Sequence, residues 1–171
     1  LARKGFPESY DLPLLLRFLA DVKAGRPEAV APVYSHRVYD VLPDRHQTVR
    51  RPDILILEGL HVLHPGDGTS GRVPDFLDLS VYVDAEEADI QAWYVQRFLA
   101  LREEARRDEA SFFRRFLDLP ADQAEALARQ VWREVNLVNL REHILPLREH
   151  ADIILEKGPD HAVRRVRLRE P

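Results

Sequence analysis

Four short stretches carry side chains whose types and spacing could build one polar, aromatic site. "PVYSHRVYD" sets Tyr34, His36 and Tyr39 into a segment that otherwise reads as a strand. Rings with hydrogen-bonding tips suit a small polar ligand there, and they also suit plain strand packing. "ILILEGL" ends in Glu58-Gly59, a carboxylate at the carboxyl end of an apolar run. In phosphoryl transfer such an acid orients Mg²⁺ or its water shell; the bland alternative is a surface acid capping a turn. "AWYVQRFLAL" places Trp93, Tyr94, Arg97, Phe98 and Leu101 on one helix face, aromatic and carrying a guanidinium suited to clamping a phosphoryl group. An ordinary core helix with a salt-bridged Arg has the same pattern. "EVNLVNL" puts Asn136 and Asn139 three residues apart on an apolar helix. A buried amide needs partners, so each either ties the helix to neighbouring backbone or reads a polar ligand.

Other motifs are weaker. Gly66-Asp-Gly-Thr-Ser-Gly71 matches G-x-G-x-x-G, with Asp84 further on, but His61 to Pro65 separate it from the preceding apolar run and Pro74 follows too soon for a crossover helix. A surface loop is the better reading. His61 and His64 lack a third ligand, which gives a structural metal little weight, and no G-x-S-x-G marks a hydrolase elbow. "REEARR", beginning at Arg102, reads as a solvated face.

These candidates need a scaffold. With 171 residues and 45% hydrophobic side chains, one domain with a substantial core is expected. A balance of 25 Lys+Arg against 29 Asp+Glu, net charge -4, gives no broad attraction to nucleic acid or to a membrane. No apolar run approaches the ~20 residues that cross a bilayer and no signal-peptide pattern opens the chain, so a cytoplasmic location is expected. The absence of Cys excludes disulfides and thiol chemistry. The chain also lacks Met and begins Leu1-Ala2-Arg3-Lys4, which predicts a part of a longer protein.

Asp11 and Pro13 as start signals and Gly25 as a stop predict a helix over 12–24. An extended segment over 31–42, a polar turn at Pro43-Asp44 and a return strand at "TVRR" follow. "DILILEGL" and "DLSVYVDA" have the continuous apolar character of parallel strands buried on both faces, as does "ADIILEK". Helices are predicted over 86–107, 111–117 and 121–140, and a last short strand at "AVRRVRL". Strands alternating with helices point to an α/β sheet.

Taken in order, "RKGFPESYD", "APVYSHRVYDV", "PDILILEGL", "WYVQRFLALRE", "EVNLVNL", "ILPLRE" and "DHAVRRVRLR" resemble the bacterial type I pantothenate kinase family, over essentially all 171 residues. The resemblance implies a P-loop kinase-like parallel sheet flanked by helices, incomplete at the N-terminus, with residues 1–171 forming the C-terminal, substrate-binding part of a single domain. It implies ATP-dependent phosphorylation of pantothenate, the first step toward coenzyme A, with coenzyme A as feedback inhibitor and a homodimer as the assembly. Tyr34, His36, Tyr94 and Asn136 would hydrogen-bond pantothenate or the overlapping arm of coenzyme A. Tyr39, Phe98, Phe113 and Val135 would form the apolar wall. Arg97 would steady the moving phosphoryl group, His161 would stack near the adenine of ATP, and Glu58 would lie near Mg²⁺, acting through its water.

The sequence departs from that family's pattern in several places. The family's G-x-x-x-x-G-K-[ST] and its upstream catalytic Asp are absent, so the chain alone is expected to be inactive. Leu101 and Phe116 stand where the family favours an aromatic and a Tyr. A sheet lacking its first strands would expose edges and apolar faces. Two rival readings remain: another kinase of the same superfamily, acting on uridine or phosphoribulose, and a binding remnant that holds pantothenate or coenzyme A without phosphorylating either.

Overall fold

The computed structural model describes residues 3–35, 40–65 and 71–169. Asp11 opens the first helix by accepting a hydrogen bond from the Leu14 N–H at 2.9 Å, and Pro13 sits where a missing N–H costs nothing. The chain leaves through Gly25 at φ +65°, which gives α1, Leu12–Lys23. Its apolar face buries Leu16, Phe18 and Leu19 against Ala29 and Val73.

β1, Ala29–Ser35, and β2, Asp40–Val49, form an antiparallel pair. Pro32 pairs with His46 whereas Val33 pairs with Leu42, so residues 43–45 bulge out of the ladder. The turn expected at Pro43-Asp44 is therefore an irregularity inside β2, which is where a residue without an N–H is tolerated.

The second sheet has the order β3-β4-β5, with β3 Val81–Ala85, β4 Ile153–Lys157 and β5 Val163–Leu168. β3 and β4 are parallel and β4 and β5 antiparallel, so the sheet is mixed. The crossover from β3 to β4 carries α2, Glu87–Glu104, a 3₁₀ turn over Phe112–Phe116, and α3, Ala121–Val131. Asp152 pins the sheet at one end. It accepts the Ser80 N–H at 2.9 Å and the Ser80 hydroxyl at 2.7 Å, and takes Arg169 at 2.7 Å on its other oxygen. The Ser80 hydroxyl and N–H hold this carboxyl below its usual range.

Register gives the sheet two unlike faces. Tyr82 and Ile154 are buried with Leu63, Leu147 and Ala151. On the other face, Val81 pairs with Ile153 and Ile153 with Leu168, while Val83 pairs with Leu155 and Leu155 with Val166. Val83 is 59% and Leu168 71% exposed, so the expectation of burial on both faces holds for one face only. "DILILEGL" departs further. No strand forms over 53–60, and Ile54 and Ile56 are 81% and 87% exposed. An apolar run becomes a strand only when neighbours take up its N–H and C=O groups, and no described strand pairs with it.

"REEARR" also departs, at its first residue. Arg102 is buried; its Nε donates to the Phe116 carbonyl at 2.8 Å and its Nη2 to the carbonyls of Leu117, at 3.2 Å, and Leu119. The guanidinium thus satisfies carbonyls that the end of a short 3₁₀ turn leaves orphaned. Arg102→Met is expected to lower the unfolding free energy by about 2 kcal/mol, because those buried acceptors lose their donor. Urea unfolding of the two proteins measures it, and equal midpoints would remove Arg102 from the account of this corner.

Candidate functional site

α3 does not run on as an α-helix. After Val131 it widens into a π turn over Trp132–Asn136, where the Leu137 N–H reaches back to the Trp132 carbonyl. It passes through one α turn, Leu137–Asn139, and widens again over Leu140–Ile144. A π turn takes one residue more than an α turn and re-aims the side chains after it. Trp132, Asn136, Asn139 and Leu140 all line one cleft of about 780 Å³. α2 supplies a second wall through Ile90, Trp93, Tyr94 and Arg97, at the spacing that keeps residues on one helix face. Val83, Asp84 and Ala85 at the carboxyl end of β3, with Lys157 at the end of β4, complete the cleft where α/β sheets place their ligands.

Most charges in the cleft are mutually satisfied. Arg141 holds both carboxylate oxygens of Glu87 at 2.8 to 3.1 Å. Arg148 donates to Asp84 at 2.7 Å, to Glu149 at 3.0 Å and to Glu156 at 3.3 Å. Burial pushes the Arg148 guanidinium down, but the charges and hydrogen bonds of Asp84 and Glu149 together raise it above its ordinary value. Tyr82 is pushed up to about 12 by burial, with the Asp84 charge adding to it. Arg97 differs, since it makes no ion pair with a described residue. An unpaired guanidinium beside Trp93, Tyr94 and Asn136 suits an anionic or phosphorylated group.

Of the residues singled out in the sequence, Tyr94, Arg97 and Asn136 meet in this cleft. His161 adjoins it through Trp93: the two rings stack with centroids 4.2 Å apart, the Lys157 ammonium lies 5.0 Å from the Trp93 centroid, and Trp93 Nε1 donates to the Pro159 carbonyl at 3.0 Å. His161 has φ +64°, a left-handed conformation uncommon outside Gly. Phe98 and Phe113 lie instead in an aromatic cluster with Phe116, centroids 5.5 and 5.3 Å from Phe98, packed on Val95 and Ala128. Val135 is half-buried in the first π turn, outside the cleft lining. Tyr34 stands near the end of β1, 40% exposed, with the Lys4 ammonium 5.4 Å from its centroid. Glu58 is exposed on the unpaired 53–60 segment. His36, Tyr39 and residues 66–70 of the glycine-rich loop lie outside the described residues.

Sequence reasoning missed Trp132, Arg141, Arg148 and Lys157. Trp132 stands four residues before Asn136, a helical spacing that could have flagged it. Arg148 bonds acids 64, 1 and 8 residues away and left no local signal. Asn139, by contrast, ties its helix to backbone: its Nδ2 donates to the Gly5 carbonyl at 2.8 Å.

The Phosphoribulokinase / Uridine kinase family matches residues 5–108, which takes in α1, β1 to β3 and α2 with Tyr94 and Arg97. The chain belongs to this family. Among its relatives, the pantothenate kinase of Myxococcus xanthus is 58% identical over 99% of this chain and 55% of that protein. That of Sorangium cellulosum is 56% identical over 99% and 55%, and that of Cutibacterium acnes 53% over 99% and 54%. The chain thus spans about half the length of the curated relatives it matches. Those alignments, unlike the family match, extend over the π turns with Trp132 and Asn136 and over the 3₁₀ turn Leu145–His150 with Arg148.

Proposed function

We propose that the cleft is the substrate-binding side of a pantothenate kinase, which transfers the γ-phosphoryl group of ATP to the primary hydroxyl of pantothenate at the start of coenzyme A synthesis. The observation that carries this reading is Arg97, which has no ion pair with any described residue, in a cleft walled by Trp93, Tyr94 and Trp132 and bearing the Asn136 amide. Pantothenate joins hydroxyls, an amide and a carboxylate to a branched apolar frame, so ring walls with a few polar tips fit its chemistry. Tyr94 and Asn136 hydrogen-bond the substrate, and Arg97 neutralises the charge that gathers as the phosphoryl group moves. Tyr34, His36, Tyr39, Phe98, Phe113 and Val135 belong to the same proposal as the rest of the substrate pocket, and coenzyme A would inhibit by occupying part of it in a cytoplasmic homodimer.

ATP and Mg²⁺ would supply the phosphoryl donor and its charge neutralisation. His161, stacked on Trp93, offers a π face to the adenine. In the same reading Glu58 would act on Mg²⁺ through its water shell.

Both tryptophans of the chain line the cleft, so intrinsic fluorescence should report binding. Pantothenate is expected to change that signal saturably, uridine is expected not to compete, and Asn136→Leu is expected to weaken binding about tenfold through the loss of its polar partners. Lacking G-x-x-x-x-G-K-[ST], the chain is expected to bind without ATP turnover. Displacement of pantothenate by uridine, or no saturable response at all, would sink the reading.

A further inference from the structure

Gly5 lies on the turn before α1 at φ +92°, and its carbonyl accepts hydrogen bonds from two remote side chains. Asn139 Nδ2 donates at 2.8 Å and His61 Nε2 at 2.6 Å. Both donors are buried, at 5% and 8% exposure. A carbonyl only accepts, so Asn139 must present its nitrogen and His61 must carry its proton on Nε2. Asn139 Oδ1 and His61 Nδ1 are left buried with no partner among the described residues. A Cβ at Gly5 would stand 3.9 Å from Asn139 Nδ2 and 4.0 Å from Leu60 Cδ1. Leu60 and Asn139 both line the cleft, so two of its lining residues flank Gly5.

We propose that this contact is a clamp that sets the cleft wall: Asn139 is a positioning residue that fixes the irregular helix carrying Asn136, and His61 is its acid-sensitive jaw. The proposal rests on the reading of the cleft as a pantothenate site. His61 faces Tyr10, His64 and His143, with ring centroids at 5.3, 6.2 and 6.4 Å. Burial pushes its pKa below the ordinary value; His64 and His143 push the same way, while the Gly5 bond and the Glu8 charge oppose. Protonation would put an N–H on Nδ1, where no described group accepts it, so acid works against the clamp. The sign follows from linkage: with the folded value below the ordinary ~6.5, the clamp's contribution is complete above about pH 6.5 and is lost as pH falls through the folded value.

The test titrates pantothenate against the intrinsic fluorescence of the wild-type chain, Asn139→Leu and His61→Gln across the pH range around that value. Asn139→Leu is expected to weaken binding about tenfold at high pH while still melting cooperatively, the effect of removing one buried bond to the clamp. The wild type is expected to lose affinity in acid. His61→Gln, whose amide reaches where Nε2 stood and does not titrate, is expected to hold its affinity throughout. Unchanged binding by folded Asn139→Leu, or the same acid loss in His61→Gln as in the wild type, overturns the clamp. If the wild type binds no pantothenate at any pH, the functional reading fails, and backbone hydrogen exchange over 3–10 decides the clamp separately. Faster exchange in Asn139→Leu and in acid then supports it, and unchanged exchange overturns it.

Discussion

On the proposed kinase reading, Arg97→Ala in a chimera that joins this chain to the N-terminal part of the Myxococcus xanthus pantothenate kinase is expected to lower kcat about 10³-fold, the scale on which phosphoryl transfer depends on a guanidinium held at the moving group. KM for pantothenate should change by only about threefold, because the interaction strengthens in the transition state rather than in the ground state. The basis is that Arg97 alone among the cleft's arginines has no carboxylate partner in the described structure, whereas Arg141 and Arg148 are held by Glu87 and by Asp84 with Glu156. Arg97→Lys should recover part of the rate, since it restores the charge without the planar fork. An equal rise in KM with unchanged kcat in Arg97→Ala would make Arg97 a binding residue and overturn this role.

Arg148→Met is expected to cost about 3 kcal/mol of unfolding free energy, as befits removal of one member of a largely buried ionic group. The sheet register forces the effect. Asp84 and Glu156 are directly opposed on parallel β3 and β4, their side chains 18% and 24% exposed, and Arg148 bonds both. Like charges facing each other across a pair of strands are unfavourable; Arg165 and Arg167 also approach Glu156, at 3.4 and 3.6 Å, but Arg148 alone of the three bonds both acids. Asp84→Asn in the Arg148→Met background should therefore recover stability rather than lose more. Urea unfolding of the single and double variants tests this, and additive losses would sink the argument.

Much of the scaffold was legible because its determinants are local. Asp11, Pro13 and Gly25 bound α1 within a residue or two, and the apolar runs at β3 and β4 became strands. Residues 53–60 carry the same signal and form no strand, since an apolar run records a tendency to be buried but not who will pair with it. The cleft divides along the same line. Tyr94 and Arg97 could be found from helical spacing, and Asn136 from being an amide among apolar neighbours. Arg102 could not be found, because its partners are backbone carbonyls of a later turn, which any sequence possesses.

The π turns make the aim of the cleft a matter of chain length as much as of side-chain identity. A residue in an α-helix advances by about 100° around the axis, so a residue added or removed shifts the phase of everything after it unless a wider turn absorbs the change. The turns over Trp132–Asn136 and Leu140–Ile144 each hold one residue more than an α turn does. Deleting one residue within 132–136 would let that turn relax to α geometry and leave Asn139 on the Gly5 carbonyl and Arg141 on Glu87, whereas the same deletion in the middle of α2 would rotate Tyr94 and Arg97 apart. A substitution scan would overlook this difference: the helix carries two spare residues that its reach does not need.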